Sequence, residues 1–312
     1  MAYPLSRLGV LVKAAPEKDA DGYLRETKKT GMIEKDLGTG DYAVMLFAGG
    51  TPVSAYILKD GGAKTLSTSE FTAFPSKSAG EVRVIDLSDV AGRLARLAFE
   101  SRQVARAAIQ DAEDWRRHIE RWQRENWSGL VEVSSPGLYG MALFWRGGAQ
   151  KADMIFSNEG GILTETFGFE SPNGFPWEVS AFAFDESDPA YQCAALRYAV
   201  VDWTNMILAR YQELVGHKLL ETLEQELNRQ IQPWEWKIAL GRAAITDSHF
   251  FIHPKDAETA YRALFMSMGM LMDIVIGSAL TRRLLKETFD LLNPADIRLL
   301  TSLRLIPAAF SE

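Results

Sequence analysis

The chain has 312 residues and a single cysteine, Cys193. One thiol excludes an intrachain disulfide and any thiolate metal cluster built within one chain. It fits a reducing compartment. Histidine is almost as scarce, with only His118, His217, His249 and His253. Positive charge is in the minority: 34 Lys and Arg stand against 41 Asp and Glu, a formal net charge of -7. A mildly acidic balance argues against nucleic acid or an anionic membrane as the partner, because both need a basic patch. The stretch MAYPLSRLGVLVKAAPEKDADG has no basic segment followed by an apolar run of signal-peptide length. The longest apolar stretch, Leu264 to Leu280, contains Asp273 and is flanked by Arg262, Arg282 and Arg283. It falls short of the roughly 20 apolar residues of a membrane span. It is expected to be a buried core helix of a soluble, cytoplasmic protein with no membrane insertion.

Against these absences, 47% of the residues are hydrophobic and 24% charged, enough for two or three globular units. The chain also repeats itself. TGMIEKDLGTGDYAVMLFAGGTPVSAYILKDGG (Thr30 to Gly62) is echoed by SGLVEVSSPGLYGMALFWRGGAQKADMIFSNEGG (Ser128 to Gly161), and EVRVIDLSD (from Glu81) by EVSAFAFDESD (from Glu178). A period near one hundred residues indicates a duplicated domain, since solenoid repeats are shorter. Each copy reads as a helix, a three-stranded meander, a further strand and a helix. The helices start at Ser88, a natural N-cap, and at Asp188 with Pro189. Gly49-Gly50 and Gly147-Gly148 are expected to supply the positive φ of tight hairpin turns. Ala55 and Ala152 are expected at close packing contacts.

These residues resemble the PATAN-type domain of bacterial signalling proteins, in two tandem copies covering about 190 residues. The second copy departs at Lys151, where that family has an apolar residue before the alanine. The resemblance implies an interaction module of two-component and motility pathways. It implies no catalytic residues.

After Pro189 the pattern is helical. Leu196, Val200, Trp203, Ile207, Tyr211 and Leu214 form an amphipathic stripe that continues past Gly216 until Pro233. A small hairpin is expected around WEWKIALG and AAITDSHFFI. A helix follows from His253-Pro254, and a short one from Asn293-Pro294. ELVGHKLLETLEQEL also echoes DIVIGSALTRRLLKE, with Gly216 opposite Gly277. Glycine inside a helix costs about 1 kcal/mol, so these two are expected where helices cross closely, within one chain or between two.

Sites of chemistry are sparse. Asp247, His249 and His253 suggest a metal, but four residues along a strand separate the two imidazoles by about 13 Å. Surface or capping roles are favoured. Cys193, near a helix start, reads as a buried structural thiol. Glu34 and Glu132 occupy equivalent positions, on strands of separate copies. The Gly-Gly pairs lack the Lys-Ser/Thr of a P-loop. GFESPNG (168–174) reads as a loop. Trp115, Ile119, Trp122 and Asn126 share one helical face with arginines opposite, an ordinary amphipathic helix. Trp145, with Arg146 beside the second turn, is the best candidate for an exposed aromatic contact.

The sequence therefore points to an α+β protein: two duplicated small domains of antiparallel sheet plus helix (1–110 and 111–212), then a mainly helical domain (213–312). The expected role is a non-enzymatic cytoplasmic signalling adaptor that binds another protein, with a homodimer as a second expected association. Trp145, Arg146, Gly216 and Gly277 are its contact residues, and no catalytic, cofactor or metal residues are assigned. The alternative is a small-molecule sensor, with its ligand between the copies or under the Met-rich helix around Met266 to Met272.

Overall fold

A computed structural model describes residues 9–38, 40–59, 62–74, 81–158, 161–163 and 176–303. The chain is α+β and divides into two compact units, Met1–Asp188 and Pro189–Glu312.

The first unit holds two six-stranded antiparallel sheets made by the same route. Strand β1 (Val10–Pro16) leads into α1 (Glu17–Thr27). Strands β2 (Gly31–Asp36), β3 (Tyr42–Ala48), β4 (Thr51–Lys59) and β5 (Gly62–Leu66) follow as a meander. After α2 (Thr68–Ala73), β6 (Glu81–Asp86) returns between β1 and β2, and α3 (Asp89–Glu100) follows. The second copy runs β7 (Arg102–Ile109), α4 (Ala112–Arg124), β8 (Gly129–Ser135), β9 (Leu138–Trp145), β10 (Gly148–Asn158), β11 (Gly161–Leu163) and β12 (Trp177–Ala183). The strand orders are β1-β6-β2-β3-β4-β5 and β7-β12-β8-β9-β10-β11, so the duplication extends to topology.

The repeated motif has a mechanical explanation. At the start of each meander a hydroxyl oxygen accepts from the first turn residue: Thr30 Oγ1 from the Gly49 amide (3.3 Å), and Ser128 Oγ from the Arg146 amide (2.9 Å). The second turn residue tucks against the end of the preceding helix. The Gly50 amide donates to the Lys29 carbonyl, and the Gly147 amide to the Trp127 carbonyl. A Cβ on Gly147 would sit 2.6 Å from the Gln123 Cα. The turn therefore needs positive φ and no side chain at that second position. It is Gly49-Gly50 (φ 54° and 81°) in the first copy and Arg146-Gly147 (φ 50° and 80°) in the second. This corrects the expected Gly147-Gly148 turn, because Gly148 already begins β10. Ala152 also departs from expectation: it is exposed, while Ala55 is buried.

Alternation along the strands assigns the sheet faces. In the first copy, Ile33, Met45, Phe47, Val82 and Val84 pack against Ala20 and Leu24 of α1 and Phe71 of α2. In the second, Val131, Val133, Phe144 and Val179 pack against Trp115 and Trp122 of α4. Helix α3 occupies the opposite faces of both sheets, touching β3 and β5 of one and β8, β9 and β10 of the other. Every residue from Ala91 to Phe99 is buried. An amphipathic helix covers one sheet, whereas this one is covered on all sides by two. The space between the copies, the alternative ligand position in the sequence reading, is occupied by α3.

The domain boundaries shift accordingly. β7 belongs to the second sheet, so the second copy starts at Arg102, before the expected 110/111 boundary. The expected 212/213 boundary falls inside α5 (Pro189–Val215), which packs as a whole with the helices that follow it.

The second unit continues with α6 (His217–Ile231), a 3-10 turn at Gln232–Trp234, the hairpin β13 (Ile238–Gly241) and β14 (Ala244–Asp247), α7 (Pro254–Ile276), α8 (Ser278–Asp290) and α9 (Pro294–Ser302). Asn293 caps α9 by accepting from the Ala295 amide. Its core gathers Trp203, Ile207, Tyr211, Leu223, Tyr261, Phe265, Met268 and Leu284.

Candidate interaction surface

Two contacts set the direction of the long helices in the second unit. Near the starts of α5 and α7, the Tyr261 hydroxyl donates to Asp247 Oδ2, and Arg197 Nε lies 3.6 Å from the same oxygen. Farther along, the rings of Trp203 and Phe265 meet at 4.4 Å. Residues 197 and 203 of α5 thus meet 261 and 265 of α7 in the same order, so the two helices run the same way where they touch.

Both then turn at a glycine. Gly216 (φ 79°) separates α5 from α6, and Gly277 (φ 80°) separates α7 from α8. Each amide still closes the preceding helix, Gly216 onto the Gln212 carbonyl and Gly277 onto the Asp273 carbonyl. This corrects the sequence reading twice. The stripe after Pro189 is two helices, since positive φ ends the first. Neither glycine marks a close crossing, because a Cβ at either would meet nothing within 4 Å. They are corners, selected for backbone conformation.

The corners carry apolar side chains into solvent at matching positions. Leu214 and Leu219 flank Gly216 as Val275 and Leu280 flank Gly277, two residues before and three after, and all four are exposed. The outer face of α7 adds Met266, Met270 and Ile274, exposed by 54%, 59% and 80%. The expectation of a buried core helix is thereby corrected. The helix runs 23 residues, and only a third of its most apolar 18-residue window is buried. Length and composition alone would let it cross a membrane, but Met268 and Met272 lie in the core with Phe265 and Tyr261. Its apolar residues thus divide between an inward and an outward face.

Trp145, the expected exposed aromatic, is buried, with 8% of its surface accessible. It closes β9, and its counterpart Ala48 is buried too. Arg146 is half-buried, its guanidinium 5.7 Å from the Trp145 ring centre. Its left-handed backbone is a turn requirement.

Glu34 and Glu132 are both buried, in different sheets with α3 between them. Their surroundings have diverged. Glu34 pairs across the strands with Arg83, which donates to it. The equivalent neighbour of Glu132 is Ser180. Burial pushes the Glu132 carboxyl above the usual range, with the nearby Tyr139 hydroxyl and Arg106 opposing that rise. Cys193 is buried. His249 is half-buried, its Nδ1 3.4 Å from the Lys237 amide, and His253 stands exposed at the start of α7. Among the described residues no three His, Cys, Asp or Glu side chains gather as a metal site would need. The 168–174 loop lies outside the described residues.

The sequence reading missed the buried pairs. Arg93 of α3 holds Asp153 of β10 with Nε at 3.0 Å and Nη2 at 2.6 Å from one oxygen. Arg96 Nε donates to Glu100 (2.7 Å), which also accepts from the Tyr56 hydroxyl (2.9 Å). Nothing in the local sequence separates such arginines from solvent-facing ones. No protein-family model, curated protein or solved structure matches the chain.

Proposed function

We propose that the protein is a non-enzymatic adaptor that works by binding another protein, and that the second unit supplies the contact. The observation that carries this reading is the outward apolar stripe of α7, with Val275 and Leu280 at its end. Surface apolar side chains scattered singly need no explanation, but an aligned group marks an interaction site. The likeness of the two copies to PATAN-type domains, generally taken as interaction modules, points the same way.

The test is a photo-crosslinking amino acid at Met270 of the full chain in its native cells, with the same group at exposed Arg116 of α4 as control. The expected result is a defined protein adduct from position 270 and none from 116. Absence of any adduct at 270, or equal labelling from both positions, overturns the reading.

A further inference from the structure

We infer that the outer face of α7 is a self-association surface on which a second copy of this chain lays its own α7 antiparallel. This rests on the reading above only in taking the face for a contact surface, and it names a second copy, in place of another protein, as the occupant.

Three observations select a second copy. The first is charge. Arg262 and Asp273 stand eleven residues apart in the chain, about three turns of α-helix, and so share one face. Met266, Gly269 and Met270 lie between them. Two such helices laid antiparallel bring Arg262 of each copy to Asp273 of the other, so one patch complements itself, as a two-fold contact requires. Asp273 has no ion pair among the described residues. It sits in the last turn of its helix, where the helix dipole disfavours a carboxylate. Arg262 donates through Nη2 to Glu258 and to the Leu303 carbonyl. A guanidinium has five N–H donors, so these two bonds leave donors for a partner's carboxylate.

The second observation is Gly269. It lies inside α7, where glycine costs about 1 kcal/mol relative to alanine, yet a Cβ there would meet nothing within 4 Å. Nothing described in this chain uses the missing side chain, whereas an antiparallel partner crossing near Gly269 approaches closely because of it.

The third is the apolar surface itself. Met266, Met270 and Ile274, exposed by 54%, 59% and 80%, with Val275 and Leu280 beyond them, leave the length of the helix that a second α7 would cover apolar and open.

The experiment is sedimentation velocity on the full chain from low to high micromolar concentration, with D273R, R262E and an equimolar mixture of the two. The natural chain is expected to dimerise. Each single variant places like charges opposite each other twice and is expected to weaken self-association at least tenfold. The mixture is expected to regain it, because the arginine introduced at position 273 of one chain then faces the glutamate introduced at position 262 of the other. Circular dichroism melts establish that both variants fold, and the mixture separates lost pairing from lost folding. A natural chain that stays monomeric, a D273R chain that dimerises as well as the natural one, or a mixture that stays monomeric overturns the inference. So does a natural chain that remains monomeric in solution and sediments with phosphatidylcholine–phosphatidylglycerol vesicles, which would assign the face to lipid. A monomeric chain that still crosslinks another protein from position 270 would sink self-association and leave the adaptor reading standing. A dimer whose position 270 crosslinks only its own second copy would do the reverse.

Discussion

Arg93 and Asp153 belong to different copies of the repeat, and their buried contact fastens one to the other: both Nε and Nη2 of the arginine reach a single carboxylate oxygen. Breaking a buried pair by removing one partner strands the other charge. D153A is therefore expected to cost about 3–5 kcal/mol, while R93M combined with D153L, which removes both charges, costs less than either single change. Urea unfolding of the three variants checks this. A double variant as unstable as the singles would show that packing, not charge, holds the copies together.

The divergence between Glu34 and Glu132 has a pH signature. Burial raises the folded-state pKa of Glu132, so folding favours its neutral form. That contribution is fully present below the ordinary glutamate pKa of about 4.3 and is lost as pH rises through the folded value. E132Q keeps a polar group of nearly the same shape and never ionises. It is expected to match the natural chain in acid and to be the more stable of the two near neutrality. Denaturant midpoints measured across that range decide it, and a constant offset at every pH would refute the assignment.

At the second hairpin turn, Arg146 holds a backbone conformation that costs a non-glycine residue about 1 kcal/mol. R146G is expected to stabilise the fold by about that amount. G147A must fit a Cβ 2.6 Å from the Gln123 Cα at φ 80°, and is expected to destabilise by about 2 kcal/mol or more. Thermal melts that rank the two in the opposite order would contradict the turn geometry.

Trp145 closes β9 from inside. W145A is expected to lose about 3–5 kcal/mol, as buried aromatics do when truncated. An unchanged melting temperature would return Trp145 to the surface role that its sequence context suggested.

Three glycines of the second unit separate by the same kind of measurement. G216A and G277A force alanine into positive φ and are expected to cost about 1 kcal/mol each, although the space around them is open. G269A, in regular helix, is expected to stabilise the isolated chain by up to about 1 kcal/mol. Equal effects at all three positions would remove the distinction between corner and helix interior.

Much of the architecture was legible. The repeat announced two copies of one topology, and Ser88, Pro254 and Asn293 marked helix starts that the structure has. The strands that escaped are those without a pattern: β7 is exposed on both sides over most of its length, so RQVARAAI shows no alternation. The fully buried character of α3 was hidden for a different reason. Arg93 and Arg96 mimic a solvated face, and the carboxylate that neutralises Arg93 lies sixty residues downstream. For the contact surface, Gly216 and Gly277 were the right landmarks with the wrong mechanism. Sequence cannot distinguish a glycine needed for a left-handed corner from one needed for close approach. Trp145 misled because a place beside a turn was taken for exposure, whereas it closes β9 from inside.

The helix that both sheets share has a consequence for any attempt to divide the chain. A fragment stopping after Ser101 would leave α3 with one bare side, and a fragment starting at Arg102 would lack the helix its sheet closes on. The two halves arose as copies, yet neither is now a separable part. In chain order α3 precedes every strand of the second sheet, so the surface on which that sheet closes is written before the sheet itself.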